Sequence, residues 1–259
     1  MAIRADHRTV SRRVLAVVAG VIILGGGLLW LFLAVLRPAS PTTSAIDLRG
    51  WKLTLPEEGE KGNAEEVEPA AVTDPWLTTG PDGSLTFWAP AAGATTKNSK
   101  SPRTELISLN DFSAGTDQRS LSASLAVSQV PTDSQDIIIG QIHGSDDIKS
   151  VPYVMLHYKD GDIEAEVKQK QKGDEKQTFP LLSGVPLNER FDFTISDDGN
   201  GSMTISATHG GQTQQATAAV PEAFQGETVR FQVGDYQQAE SAQGDDDGGR
   251  VTFYTIEER

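Results

Sequence analysis

The sequence contains no cysteine, which excludes disulfide bonds, a thiolate nucleophile and any metal site built on thiolates. It has only four histidines, none spaced as paired metal ligands, so we expect neither a metal site nor a cofactor. A glycine-rich phosphate loop and the Gly-x-Ser-x-Gly turn of serine hydrolases are also missing. Thiol chemistry is therefore excluded, and nucleotide or serine-hydrolase chemistry has no support.

Basic residues are scarce relative to acidic ones. The chain has 22 Lys and Arg against 36 Asp and Glu, which gives a net charge of -14. Residues 1–37 hold five arginines and one aspartate, which leaves -18 on the remainder of the chain. Such a surface argues against binding to nucleic acid or to anionic membranes over most of its area, although a local basic cleft remains compatible with it.

The N-terminal part of the chain holds one long apolar run, residues 14–36, which is 23 residues without a charge. A helix of about 20 apolar residues spans a bilayer, and the arginines before this run place the N-terminus in the cytoplasm. We therefore predict a cytoplasmic basic segment at 1–13, a transmembrane anchor at 14–36, a linker at 37–45 and one external domain at 46–259. The protein would then be a single-pass protein of the cell membrane, which it contacts through this helix alone. Secretion after cleavage of the segment is the alternative.

The domain from residue 46 onward alternates apolar and polar residues in many short runs separated by turn residues such as Asp-Gly. This spacing, with scarce helical periodicity, predicts an all-β sandwich or jelly roll. The predicted strands are Trp51–Leu55, Leu85–Ala89, Arg103–Leu109, Arg119–Val127, Ile137–His143, Tyr153–Tyr158, Ile163–Lys170, Arg190–Ser196, Ser202–Thr208, Thr228–Val233 and Arg250–Ile256.

Three of these strands carry polar side chains on one face, where residues two apart lie together. The shared faces hold Arg103 with Glu105 and Ile107, Gln141 with His143, and Arg230 with Gln232. Beyond Gly234, ideal alternation would add Tyr236 and Gln238 to the last of these faces.

Arg, Gln, His and Tyr together are the side chains that β-elimination on a uronate requires. Removing the C5 proton builds negative charge on the adjacent carboxylate, which a cation or strong hydrogen-bond donors must neutralise. A base takes that proton, and an acid protonates the leaving glycosidic oxygen. Arginine binds carboxylates bidentately, while histidine and tyrosine can move protons. Each residue alone has a commoner structural explanation, so only their co-occurrence points to this chemistry.

Four segments, Trp51–Pro56, Arg103–Leu106, Gln141–His143 and Gly234–Gln238, occur in the order and approximate spacing of known motifs. They resemble those of alginate lyases of polysaccharide lyase family 7. The resemblance implies a jelly roll with a concave substrate cleft and cleavage of a uronate polymer, alginate first, by β-elimination without an obligatory metal. The expected partner is an anionic uronate polysaccharide, and the catalytic domain is expected to be monomeric.

The resemblance also implies roles for individual residues. Arg103 and Gln141 would bind and neutralise the uronate carboxylate. His143 would assist neutralisation or act as the base on one epimer, and Tyr236 would be the general acid. The residues expected to bind substrate or support its binding are Glu105, Arg230, Gln232 and Gln238.

The sequence departs from the family pattern at three positions of the expected cleft. The family's second arginine falls at Ile107, its lysine at Gln232 and its first tyrosine at Arg230. Two cations are thereby lost, and we hypothesise that Arg230 restores part of the charge on the same face. The departures leave two alternatives open: a lyase for another uronate polymer such as polyglucuronate, or a non-catalytic carbohydrate-binding jelly-roll protein on the cell surface.

Overall fold

Residues 45–71 and 74–259 are described by the structure, a computed structural model. The predicted cytoplasmic segment at 1–13, the anchor at 14–36 and nearly all of the linker at 37–45 lie outside these residues. In the described part of the chain, no helix is both long enough and apolar enough to cross a membrane. The predicted anchor and the cellular location therefore stay predictions.

Strands dominate the described part of the chain, as the alternating pattern predicts. In chain order they are β1 (Trp51–Glu58), β2 (Ala64–Val67), β3 (Leu77–Thr79), β4 (Leu85–Pro90), β5 (Thr104–Ser108), β6 (Phe112–Ser113), β7 (Gln118–Gln129), β8 (Asp136–Gly144), β9 (Pro152–Lys159), β10 (Asp162–Lys168), β11 (Lys176–Leu182), β12 (Phe191–Asp198), β13 (Ser202–His209), β14 (Gln212–Ala219), β15 (Thr228–Gln237) and β16 (Gly248–Glu258). Single turns of 3-10 helix lie at Pro69–Ala71 and Asp146–Ile148.

Within the described residues these strands form two antiparallel sheets. The larger has nine strands in the order β11-β10-β9-β8-β15-β5-β1-β2, with β6 paired to β15. The smaller has seven, in the order β14-β13-β12-β7-β16-β4-β3. Strand β15 lies between β8 and β5, although it follows both of them by many residues in the chain. This long-range pairing brings the three predicted polar strands side by side.

The core lies between the two sheets and is built from one face of each strand. Phe87 and Phe253 meet edge to face in the smaller sheet, with ring centroids 5.3 Å apart. Phe231 of the larger sheet is fully buried. Because apolar residues alternate with polar ones, burying this face turns the polar side chains of β5, β8 and β15 outward. The outward face of the larger sheet is where the candidate site lies.

The prediction of an all-β sandwich is confirmed, and each predicted strand overlaps an observed one. Five observed strands were missed: β2, β3, β6, β11 and β14. Strand β14 has the sequence QTQQATAA, with mostly exposed side chains at the edge of the smaller sheet. It lacks the apolar alternation that identifies a half-buried strand, and its neighbour β13 supplies the pairing instead.

Candidate active site

A cleft of about 380 Å³ lies on the outward face of the larger sheet. Register places Gln232 of β15 opposite Gln141 of β8 on one side and opposite Ile107 of β5 on the other. Arg230 pairs with His143 in the same way. Of the eight site residues predicted from the sequence, all line the cleft except Glu105, which lies beneath it.

Glu105 is fully buried and organises the floor of the cleft. One of its carboxylate oxygens accepts a hydrogen bond from Arg103 at 2.9 Å, and the other accepts one from the Gln141 amide. Burial raises the pKa of Glu105, while the charge of Arg103 and these hydrogen bonds act in the opposite direction. Glu105 therefore holds Arg103 and Gln141 in fixed positions and does not face a ligand itself.

The Gln141 side chain is completely buried, and its amide nitrogen is shared within the network. The nitrogen donates to Glu105 and, at 3.3 Å, to the side-chain oxygen of Gln232. Gln232 thus uses its oxygen inside the network, which leaves its own amide N–H groups for a ligand. The sequence predicts that the amide of Gln141 donates a hydrogen bond to the substrate carboxylate. In this arrangement the amide of Gln232 is the more accessible donor.

Arg103 lies flat against Tyr236, with its guanidinium carbon 3.4 Å from the centre of the ring. Tyr236 is half-buried, and its hydroxyl lies 2.9 Å from the Ser99 hydroxyl. Stacking of a guanidinium on an aromatic face is favourable and fixes the plane of both groups. The general acid predicted from the sequence is therefore held next to the predicted carboxylate-binding arginine.

His143 has its two ring nitrogens in different environments. Nδ1 lies 3.0 Å from the Gly144 carbonyl oxygen, which can only accept, so Nδ1 carries the hydrogen and the lone pair of the neutral ring is on Nε2. Burial and, to a smaller extent, the charges of Arg103 and Arg230 lower the pKa of His143 to about 4, although the Gly144 hydrogen bond acts in the opposite direction. At neutral pH the ring is uncharged, which favours the role of base over that of a cation that neutralises charge.

The cleft is cationic even though the protein as a whole is acidic. Its lining includes Arg103 and Arg230 from the sheet, and Lys97 and Lys149 from two loops, against one carboxylate, Glu66. The loop lysines were missed in the sequence because no motif marks them, and only the fold brings the two loops to the same cleft. The cleft thus carries four cationic side chains although Ile107 and Gln232 stand at two positions where the family pattern has cations.

One predicted residue, Gln238, makes a different contact from the one expected, and Ile107 marks a departure from the family pattern. Gln238 lines the cleft but turns its amide nitrogen back to the Tyr236 carbonyl, at 2.9 Å. Ile107 contributes an apolar side chain to the floor at the position of the missing arginine. Among the described residues, no group of three or more His, Cys, Asp or Glu could hold a metal ion.

Comparison with known proteins places this site in context. The family model described as alginate lyase matches residues 46–258. No curated protein matches the chain. Among solved structures, an alginate lyase from Pseudomonas aeruginosa is 27% identical, with a TM-score of 0.71 over 82% of this chain and 99% of that chain. Alginate lyase A1-II', a member of polysaccharide lyase family 7, is 25% identical, with a TM-score of 0.68 over 83% and 96%. An alginate lyase from Klebsiella pneumoniae shares the fold, with 22% identity and a TM-score of 0.71 over 82% and 95%.

Proposed function

The chain belongs to the alginate lyase family, and from that premise we propose that its cleft cleaves alginate by β-elimination. The observation that carries the proposal is the convergence of Arg103, His143 and Tyr236 on one cleft. These three side chains supply a cation for the carboxylate, a neutral base and a proton donor. The reaction needs each of these functions at one sugar residue.

Each residue has a role that follows from its contacts. Arg103 keeps N–H groups beyond the one given to Glu105, so it binds the uronate carboxylate together with the free amide of Gln232. His143 takes the C5 proton at Nε2 on one epimer. Tyr236 gives its proton to the leaving glycosidic oxygen, and on the other epimer it serves as base as well. In the similar lyase A1-II', a form with one histidine changed to asparagine and one tyrosine to phenylalanine holds the substrate GGMG.

Arg230, Lys97 and Lys149 attract the polymer to the cleft. They replace the two family cations that are lost at Ile107 and Gln232, but they lie at other positions. Carboxylates of neighbouring sugars would therefore be held at different places along the cleft. Because the cations lie at positions that differ from the family pattern, the uronate that this protein prefers is the property most affected.

The first experiment is to follow absorbance in the ultraviolet while the protein acts on polymannuronate, polyguluronate and polyglucuronate separately. β-Elimination leaves a conjugated double bond, so a rise in absorbance identifies a lyase and ranks the three polymers. We expect a rise on at least one of the two alginate polymers. A folded protein that gives no rise on any of the three would contradict the proposal.

A non-catalytic carbohydrate-binding function is the second candidate, favoured by the loss of charge at Ile107 and Gln232. The substitution Tyr236→Phe separates the two, because binding needs no proton transfer. If the protein is a lyase, we expect kcat to fall at least about 100-fold, the usual scale of general acid catalysis, with polymer affinity nearly unchanged. If instead the wild type binds polymer without turnover, the binding function holds.

We also propose that the apolar segment at 14–36 anchors the catalytic domain outside the cytoplasmic membrane, on the strength of its length and the preceding arginines alone. The competing outcome is cleavage and secretion. Fractionation of cells, with the N-terminus of the mature protein sequenced, distinguishes them: an anchor keeps the protein in the membrane fraction with residues 1–36 intact.

A further inference from the structure

Ser99 lies on the rim of the cleft, in the loop that joins β4 to β5. Its hydroxyl is 2.9 Å from the hydroxyl of Tyr236. No motif in the sequence marks this serine, which is 137 residues away from Tyr236 in the chain. The contact therefore depends on the fold and assigns Ser99 to the immediate surroundings of the reacting phenol.

The direction of this hydrogen bond follows from the other contacts of Ser99. Its hydroxyl donates to the Ser101 carbonyl oxygen at 2.7 Å and accepts the Ser101 N–H at 3.2 Å. A serine hydroxyl has one hydrogen, and the Ser101 carbonyl takes it. In the absence of substrate the Tyr236 hydroxyl must then be the donor to Ser99, and this contact fixes the position of the phenol oxygen.

The backbone holds this loop in place. Ala94 donates to the Pro56 carbonyl in β1 at 2.8 Å, and Ala64 of β2 donates to the Thr95 carbonyl at 3.0 Å. The Ser99 N–H closes a turn onto the Thr96 carbonyl, also at 3.0 Å. Two strands of the larger sheet thus fix the loop, and the serine hydroxyl is preorganised relative to the phenol.

We infer that Ser99 is a positioning residue for Tyr236, which rests on the proposed function of the cleft. It holds the phenol at the leaving glycosidic oxygen and stabilises the phenolate that remains after proton transfer. With substrate bound, the Tyr236 hydroxyl first turns its hydrogen from Ser99 to the leaving glycosidic oxygen. The O–H bond then breaks and the leaving oxygen gains the proton. The Ser99 hydroxyl, which keeps its own proton, then turns from the Ser101 carbonyl and donates to the phenolate oxygen. The phenol is restored when it takes up the proton released from C5 or one from solvent.

The test compares Ser99→Thr with Ser99→Val, which have the same shape and differ only in the hydroxyl. We expect the valine variant to lose about tenfold in kcat, the scale of one hydrogen bond to a charged group, with KM changed less than about twofold. The threonine variant should stay within about threefold of the wild type. Equal kcat in the two variants would overturn the inference.

Two further measurements separate positioning from general loosening of the loop and from failure of the proposed function. Lys100→Ala removes an exposed ion pair of the same loop with Glu240 and should leave kcat unchanged; a loss as large as that of Ser99→Val would count against Ser99.

The second measurement is the ¹³C signal of tyrosine labelled at Cζ, with the Tyr236 signal assigned from Tyr236→Phe. That signal should move in Ser99→Val and not in Ser99→Thr. This shift needs no substrate. If it appears in a protein inactive on all three polymers, the contact stands and the proposed function fails; if it is absent, the inference fails.

Discussion

At the scale of single residues, the environment of each side chain decides its part in the chemistry. Glu105 was expected to bind substrate or support its binding, and it is fully buried and serves to orient Arg103 and Gln141. His143 could have been a cation or a base, and its burial together with the nearby arginines favours the neutral base. The residue type narrows the possible roles, and its contacts select among them.

The low pKa of His143 predicts the acid limit of activity. In the proposed mechanism the neutral ring is the active form, and it persists as pH falls until about 4, where the ring gains a proton. A pH profile of kcat/KM should therefore lose activity near pH 4, whereas a free histidine would lose it near 6.5. In Arg230→Ala the acid limit should move to higher pH, because one repelling charge is removed. A wild-type limit near 6.5 would contradict this account of His143.

A substitution at Arg230 tests whether this arginine replaces part of the positive charge that the family pattern has at positions 107 and 232. Arg230→Ala should raise KM about 5- to 10-fold, the loss of about 1 kcal/mol that one charged contact contributes, with a smaller change in kcat. The kinetics should be measured at fixed ionic strength, because screening weakens such contacts. Arg49→Ala, which removes an exposed arginine outside the cleft, is the control and should leave KM unchanged. Unchanged kinetics in Arg230→Ala would reject the hypothesis.

At the scale of the strand, an irregularity in β15 directs the proposed general acid, Tyr236, into the cleft. The register between β8 and β15 shifts between Val233 and Tyr236, and Gly234 lies in this stretch with φ +155°. A Cβ at Gly234 would lie 2.6 Å from the Thr104 carbonyl oxygen of β5. Glycine is therefore required for β5 to approach β15 at the point where Tyr236 turns into the cleft.

We expect Gly234→Ala to destabilise the protein by about 1–3 kcal/mol, the usual cost of overpacking, and to lower kcat by displacing Tyr236. Thermal unfolding and kinetics on the same preparation measure the two effects. Gly244→Ala is a matched control, since Gly244 has φ +151° and open space around the position of its Cβ. Equal effects of the two substitutions would mean that Gly234 is required for its backbone conformation and not for the close contact with Thr104.

The strand is also the scale at which prediction from sequence reached its limit. Alternation along the three strands predicted around β5, β8 and β15 groups Arg103 with Glu105, Gln141 with His143, and Arg230 with Gln232, and all of these line the cleft except Glu105, which is buried beneath it. It does not say that β15 pairs between β8 and β5, because pairing depends on contacts distant in the chain. Ser99, Lys97 and Lys149 were missed for the same reason, since a loop residue has no periodicity to reveal where it points. Polar edge strands such as β14 also give no signal of their own.

At the scale of the whole molecule, the two sheets meet over a buried carboxyl group directly behind the cleft. Asp235 follows Gly234 in β15, is fully buried and packs against Gly249 of the other sheet. Within the described residues, neither of its oxygens makes a hydrogen bond of good geometry, although the backbone N–H of Ala89 lies close enough to act on its pKa. Burial raises the pKa of Asp235 well above its usual value of 3.8, and the negative charge of Glu105 acts in the same direction. The backbone N–H of Ala89 and the positive charge of Arg250 act in the opposite direction. The folded protein therefore favours the protonated form.

This raised pKa makes the free energy of unfolding depend on pH. The contribution of Asp235 is fully favourable below about pH 3.8 and is lost as pH rises through the folded-state pKa. Asp235→Asn, which cannot ionise, should raise stability at pH 8 by about 1–3 kcal/mol, with little gain at pH 4. Thermal unfolding across this range measures it, and Asp192→Asn, on an exposed position of β12, should give no such trend. A gain independent of pH would show that ionisation of Asp235 is not its cause.

The contrast between the acidic exterior and the cationic cleft has a consequence for how such a molecule would move through its substrate. A uronate gel is a dense network of negative charge, and a domain of net charge -18 is repelled by it over most of its surface. Only the cationic cleft would bind the polymer, so most contacts between protein and gel would place a polymer chain where it can be cleaved. We expect the released domain to penetrate such a gel instead of accumulating at its surface, with dissolved salt setting the range of the repulsion at about 8 Å in physiological conditions.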